Sequence, residues 1–146
     1  RINSELMPAL GMDLKLVQLM AETDWNETMV YDTKGKATPY DYDRMCQPRA
    51  MKTIAGYADG IGPWKPMIVT EPGTPGKPVF TAMVKEAHAA GLKVHPYTFR
   101  QDEGQIPPYA KDFTDLLNIF LYQADVDGVF SDFPDKAVAV IKAHGK

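Results

Sequence analysis

A chain of 146 residues and 16.2 kDa, 45% apolar and 24% charged, has the make-up of one globular unit, read as a single region over residues 1–146. Its net charge of −3 and pI near 5.6 argue against a nucleic-acid partner, which needs a basic surplus. No run approaches the roughly 18 apolar residues of a membrane span, and Cys46 alone makes neither an intrachain disulfide nor a cysteine-built zinc site.

Taken in chain order, Arg1 to Leu10 reads as the end of a helix closed by Gly11. Leu14 to Met20 is an apolar run with strand character, and Ala21 to Arg44 is a long polar connection of the kind that often carries function. Pro48 to Tyr57 suits a helix, with proline in its first turn and Met51, Ile54, Ala55 and Ala58 on one face. Asp59 to Pro63 is a very short strand, followed by a loop from Trp64 to Lys77. Pro78 to Ala90 reads as a helix with Val79, Met83, Val84 and Ala87 as its stripe, ended by Gly91. Leu92 to Phe99 is a strand broken by Pro96. Asp112 caps a helix reaching Gln123, Val126 to Ser131 is a fourth strand, and Pro134 opens a last helix through Ala143. No internal sequence repeat or low-complexity tract interrupts this rhythm. The first residue is Arg1, so the chain reads as mature, processed or truncated.

The fold class is α/β, with four βα units and a parallel sheet. An open flavodoxin-like sheet and half of an eight-stranded barrel both fit the pattern. Either way, ligands belong beyond the carboxyl ends of the strands. Those ends carry Gln18 and Asp24 to Glu27, then Gly62 to Trp64, then Tyr97 to Arg100 with Asp102, then Ser131 to Phe133 with Asp135. An arginine among aromatic rings and carboxylates suits a small anionic ligand with an organic tail.

Each of these residues also has a plainer role. Asp132 reads equally as a helix cap or a site residue, and Arg100 as a surface charge or a site residue. His95 reads as a packed, hydrogen-bonded histidine, and Trp25 and Trp64 as pins holding loops to the body. Asp41 and Asp43 have metal-like spacing but read as solvated loop charge. Residues 71–78 imitate a phosphate loop, with the wrong glycine spacing and with Pro78 where Ser or Thr should stand. Asn26-Glu27-Thr28 matches a glycosylation sequon, a weak signal, and Cys46 has no histidine near it in sequence.

Two stretches, Leu92 to Arg100 and Asp127 to Asp135, resemble the last two strands of the glycerophosphodiester phosphodiesterase family. Thr23 to Thr28 and Tyr57 to Pro63 extend the resemblance toward its bacterial periplasmic type. The resemblance implies a TIM (β/α)8 barrel of which this chain is the carboxyl-terminal half. It implies metal-dependent hydrolysis of glycerophosphodiesters to glycerol-3-phosphate and an alcohol, a divalent metal (Ca2+ in the family) and a periplasmic location. The family's His-Arg-Gly segment and metal-binding acids have no match here, and the histidines are His88, His95 and His144 alone. No catalytic residue and no metal ligand is therefore assigned, and both sets are expected in a missing amino-terminal half. The substrate-pocket candidates are Gln18, Tyr97, Arg100 and Phe133. The partners expected are the substrate and either that missing half or a second copy, and the chain alone is expected to be inactive. The alternatives are a non-catalytic module that self-associates or binds a small phosphate ligand, and a stand-alone flavodoxin-like domain. The second of these is weakened because Ala21 to Thr28 contains no glycine.

Overall fold

The computed structural model describes residues 9–11 and 13–145. The helix read over Arg1 to Leu10 lies almost wholly outside them. Three parallel strands, β1 (Val17–Met20), β4 (Gly60–Pro63) and β5 (Lys93–Val94), form one sheet in the order β1-β4-β5. Val17 sits opposite Gly60 and Met20 opposite Pro63, while Gly60 in turn faces Lys93. Each new strand joins on the side its predecessor left open, so the winding does not reverse.

The fourth strand expected over Val126 to Ser131 is not a regular ladder. It runs beside the extension of β5 through one parallel bridge, Phe99 with Ser131. Asp127 N donates to Val94 O at 3.0 Å, Phe130 N to Pro96 O at 2.9 Å and Phe99 N to Phe130 O at 2.8 Å. The cause is Pro96, which has no N–H to give to the ladder. The strand expected over Leu92 to Phe99 is regular only at Lys93–Val94, although its extension still bonds to β4 through His95 N to Ile61 O at 2.9 Å and Tyr97 N to Pro63 O at 3.1 Å, with a separate bridge from Trp64 to Tyr97.

The connection from Ala21 to Arg44 is more ordered than its composition implied. It contains a hairpin of β2 (Met29–Tyr31) and β3 (Ala37–Pro39), turned by an Asp32 side chain that accepts from Lys34 N at 2.8 Å and Lys36 N at 2.9 Å. Gly35, at φ 78, supplies the left-handed residue of that turn.

Four α-helices are described: α1 (Ala50–Ala55), α2 (Met83–Ala89), α3 (Phe113–Asn118) and α4 (Pro134–Ala143). Helix α2 starts five residues later than its apolar stripe implied. Val79 and Phe80 are extended instead, with Thr70 N donating to Val79 O at 3.0 Å and Phe80 bridged to Val69. Thr81 Oγ1 then accepts from Met83 N at 3.3 Å and ties the helix start to Met67 O. Asp112 caps α3 as its position implied, accepting from Asp115 N at 2.8 Å. A π-helical turn, Ile119–Gln123, prolongs α3.

Met20, Ile61 and Val94 from the sheet meet Ile54, Val84, Ala87, Leu116, Leu117 and Phe120 in one buried cluster. Phe99 and Phe120 pack edge to face inside it, with ring centroids 4.9 Å apart. Strand alternation leaves the other face of β1 open: Val17 and Leu19 are 41% and 53% exposed, whereas Met20 is fully buried.

Candidate functional site

A cavity of about 740 Å³ lies over the open face of β1 and reaches past the carboxyl ends of the strands. Its floor is Val17 and Leu19 of β1, its near wall Ala21, Trp25, Glu27 and Thr28 from the segment after β1, and Tyr42 closes it from the arm after the hairpin. Tyr97 and Thr98 enter from beyond β5, and Phe130, Ser131 and Asp132 from the fourth strand segment. A smaller, polar cavity of about 390 Å³ lies at the start of β5, lined by His88, Lys93, Asp125 and Asp127.

The aromatic walls are fixed by partners of their own. Tyr97 OH donates to Met20 O at 2.7 Å, and burial first, then the nearby Tyr42, Glu27 and Glu22, pushes that phenol up to about 12. Tyr42 OH lies 2.9 Å from Thr28 Oγ1, and its ring packs edge-on to Tyr40 at 4.8 Å. Trp25 packs edge-on to Trp64 at 4.9 Å, so the pinning role of both tryptophans holds while Trp25 also lines the cavity.

Of the four pocket candidates, the structure brings Tyr97 to the cavity and leaves Gln18 and Phe133 away from its lining. Gln18 alternates with Val17 and Leu19 along β1, so it faces the other side, where Tyr57 OH donates to its Oε1 at 3.1 Å. Phe133 packs edge-on against Phe113 at 5.8 Å, next to the core. Arg100 sits at the border: its Nε donates to Asp102 Oδ2 at 2.9 Å and lies 3.4 Å from Oδ2 of Asp132, which lines the cavity. Asp132 is a site-side residue rather than the cap of α4. Ser131 Oγ takes the local role, accepting from Phe133 N at 3.0 Å.

Sequence reasoning gave no place in the site to Tyr42, Thr28 or Phe130. Tyr42 and Thr28 come from the long polar connection, whose hairpin folds them back across the strand ends. The density of tyrosines around position 42 was the one available signal. His95 is packed as expected, against Gly128, but its buried Nδ1 has no hydrogen-bond partner among the described residues. Asp43 accepts from Thr23 Oγ1 at 3.1 Å, which anchors the loop. Burial, then the carboxylates of Glu22 and Asp43, pushes the Cys46 thiol up, the reverse of what a nucleophile requires.

Residues 3–136 match the Glycerophosphoryl diester phosphodiesterase family. The chain belongs to that family. It is 44% identical over 143 residues to a glycerophosphodiester phosphodiesterase of Haemophilus influenzae, covering 97% of this chain and 39% of that protein. Against a glycerophosphodiester phosphodiesterase of Treponema pallidum the identity is 37% over 139 residues, covering 94% and 38%. A relative from Arabidopsis thaliana, the glycerophosphodiester phosphodiesterase GDPD6, is 37% identical over 90 residues. The chain thus spans less than two fifths of the length of the two bacterial relatives, at 39% and 38%.

The α/β character and the parallel sheet fit this family. Among the described residues, no three His, Cys, Asp or Glu side chains group to hold a metal ion. The described residues therefore do not fit a divalent metal centre. What the chain displays is a walled, partly apolar receptacle with acidic groups and an arginine at its border.

Proposed function

We propose that this chain is part of a glycerophosphodiester phosphodiesterase that hydrolyses glycerophosphodiesters to glycerol-3-phosphate and an alcohol. Agreement with the Haemophilus protein along 97% of the chain carries the reading. In this proposal the chain is the carboxyl-terminal half of a (β/α)8 barrel. The unreversed order β1-β4-β5 and the open apolar face of Val17 and Leu19 support it, because a barrel winds in one direction and covers that face when closed. The acid–base histidines, the metal ligands and the divalent cation, calcium by resemblance, belong to residues outside those described. The completing segment, or a second copy, is the structural partner. The periplasmic assignment rests on the resemblance at residues 23–28 and 57–63.

Within that division of labour, the chain's own residues bind and orient. Tyr97 presents a ring fixed by its bond to Met20 O. Arg100, reoriented from its exposed pairing with Asp102 and Asp132, is the guanidinium available to a phosphate oxygen at the border. Gln18 bonds to Tyr57 and Phe133 packs on Phe113, both outside the cavity lining.

The test is turnover of glycerophosphocholine with calcium, by the full-length protein and by residues 1–146 alone. Turnover by the former only is expected. Ordinary turnover by the 146-residue chain would overturn the division of labour. None by the full-length protein would overturn the phosphodiesterase reading.

A further inference from the structure

We propose that a second cavity, beside α1 and α2, is a soft-metal site in which the thiol of Cys46 and the thioethers of Met51, Met67 and Met83 bind a monovalent cation of the Cu+ class. It shares no lining residue with the cavity over β1, so the inference stands apart from the phosphodiesterase reading.

The cavity holds about 270 Å³, and besides the four sulfur residues its lining is Thr81, Ala82 and Glu86. The four come from four separate elements. Cys46 ends the helical turn Asp43–Cys46, Met51 lies in the first turn of α1, Met67 ends the helical turn Lys65–Met67 and Met83 opens α2. Hydrogen bonds join them in pairs. Ala50 N donates to Gln47 O at 3.0 Å and closes the turn between Cys46 and Met51. Thr81 Oγ1 donates to Met67 O at 2.7 Å and accepts from Met83 N at 3.3 Å. Met51 and Met83 are buried and Met67 is half-buried, whereas Cys46 is exposed and gives an entering ion a first ligand.

Thioethers are neutral, polarizable donors that hold soft cations and neglect hard ones such as Ca2+ and Mg2+. Charge also favours a cation. Glu86 is the one charged residue among the described residues of the lining, and its carboxylate has neither an ion pair nor a hydrogen bond among them. Burial, then the carboxylates of Glu22 and Asp43, keeps the proton on the free Cys46 thiol, and the same carboxylates draw a cation in. On binding, the S–H bond of Cys46 breaks, an S–metal bond forms and the proton leaves to solvent, with no change of oxidation state. Methionine also fills irregular gaps in a core, a role that leucine takes over at little cost. Packing alone gives no reason for a thiol and a carboxylate to share one cavity with three thioethers.

The experiment titrates Ag+ into the full-length protein, in chloride-free buffer with excess calcium nitrate. Ag+ shares the charge and the ligand preference of Cu+ and needs no reductant. Calorimetry reads affinity and proton release, and native mass spectrometry reads stoichiometry. We expect Cys46→Ser to bind one Ag+ fewer than the wild type and to release one proton fewer. Met51→Leu and Met83→Leu should each weaken that site at least about tenfold, the scale of losing even a supporting group at a metal site. Cys46 is exposed, so C46S tests the site without disturbing the core, and leucine keeps the volume of methionine. Equal Ag+ uptake by C46S and the wild type would overturn the inference. Wild-type affinity in both leucine variants would overturn it as well, because a single thiol would then be the whole ligand. Neither result bears on hydrolysis of glycerophosphodiesters.

Discussion

Asp127 Oδ2 accepts the backbone N–H of Val94 at 2.9 Å, and this bond has a twin, Asp59 Oδ2 with Leu16 N, also at 2.9 Å. Each aspartate stands before a glycine, Gly128 or Gly60, at the start of one strand, and grips the amide at the start of its neighbour. Each also takes the lysine one residue before that amide, Lys93 at 2.7 Å and Lys15 at 3.1 Å. The chain therefore uses one stitch twice, at the amino ends of β1 with β4 and of β5 with the fourth strand segment. The stitch spans only two dipeptides, too little to register as a sequence repeat.

The Asp127 stitch is the stronger one. Burial opposes its charge, yet bonds from Lys93, Val94 N and His88, the last at 2.9 Å, outweigh burial and bring the carboxyl down to about 2. A carboxyl depressed on folding contributes stability above its unfolded pKa and loses it as pH falls through the folded value. Urea denaturation followed against pH should show about 2 kcal/mol of stability draining between pH ~4 and ~2, a slope that Asp127→Asn removes. The more exposed Asp59→Asn should cost less than D127N at neutral pH. An unchanged acid slope in D127N would contradict the assignment.

Two glycines of β4 should respond differently to alanine. A Cβ on Gly60 meets Lys93 O at 2.8 Å, a backbone atom of the paired strand that cannot yield. A Cβ on Gly62 meets Leu19 Cδ2 at 2.8 Å, the end of an exposed side chain that can turn away. G60A should lose about 1–3 kcal/mol in chemical denaturation, and G62A clearly less. The reverse order would mean that the β1-β4-β5 spacing is misjudged.

Phe120 is fully buried and packs edge to face on Phe99. Phe120→Ala should cost about 3–5 kcal/mol by denaturant titration. Tyr97→Phe deletes one bond to Met20 O, which keeps a second from Trp64 N at 3.2 Å. Its loss should be only about 0.5–1.5 kcal/mol.

Arg100 separates binding from stability. Its pairs with Asp102 and Asp132 are about half exposed, with side-chain exposures of 48%, 45% and 55%, and exposed pairs hold folds together weakly. Arg100→Ala should leave the denaturation midpoint in place while raising KM for a glycerophosphodiester by about tenfold. An unchanged KM would remove Arg100 from the site.

The sequence by itself determined the α/β character, the cap of Asp112, the whole of α4 and the family, because periodicity, capping and short motifs are local. Tertiary structure decided which strand-end residues share a cavity. Gln18 and Val17 are neighbours in sequence, yet the period of two sends one toward Tyr57 and the other to the cavity floor. Tyr42 looked like part of an irregular loop, and only the hairpin at residues 29–39 carries it over the strand ends. Pro96 was visible, but not that losing its one N–H would reduce the fourth strand to a bridge. Which groups meet in space depends on how the chain closes over long separations, and no local pattern records that closure.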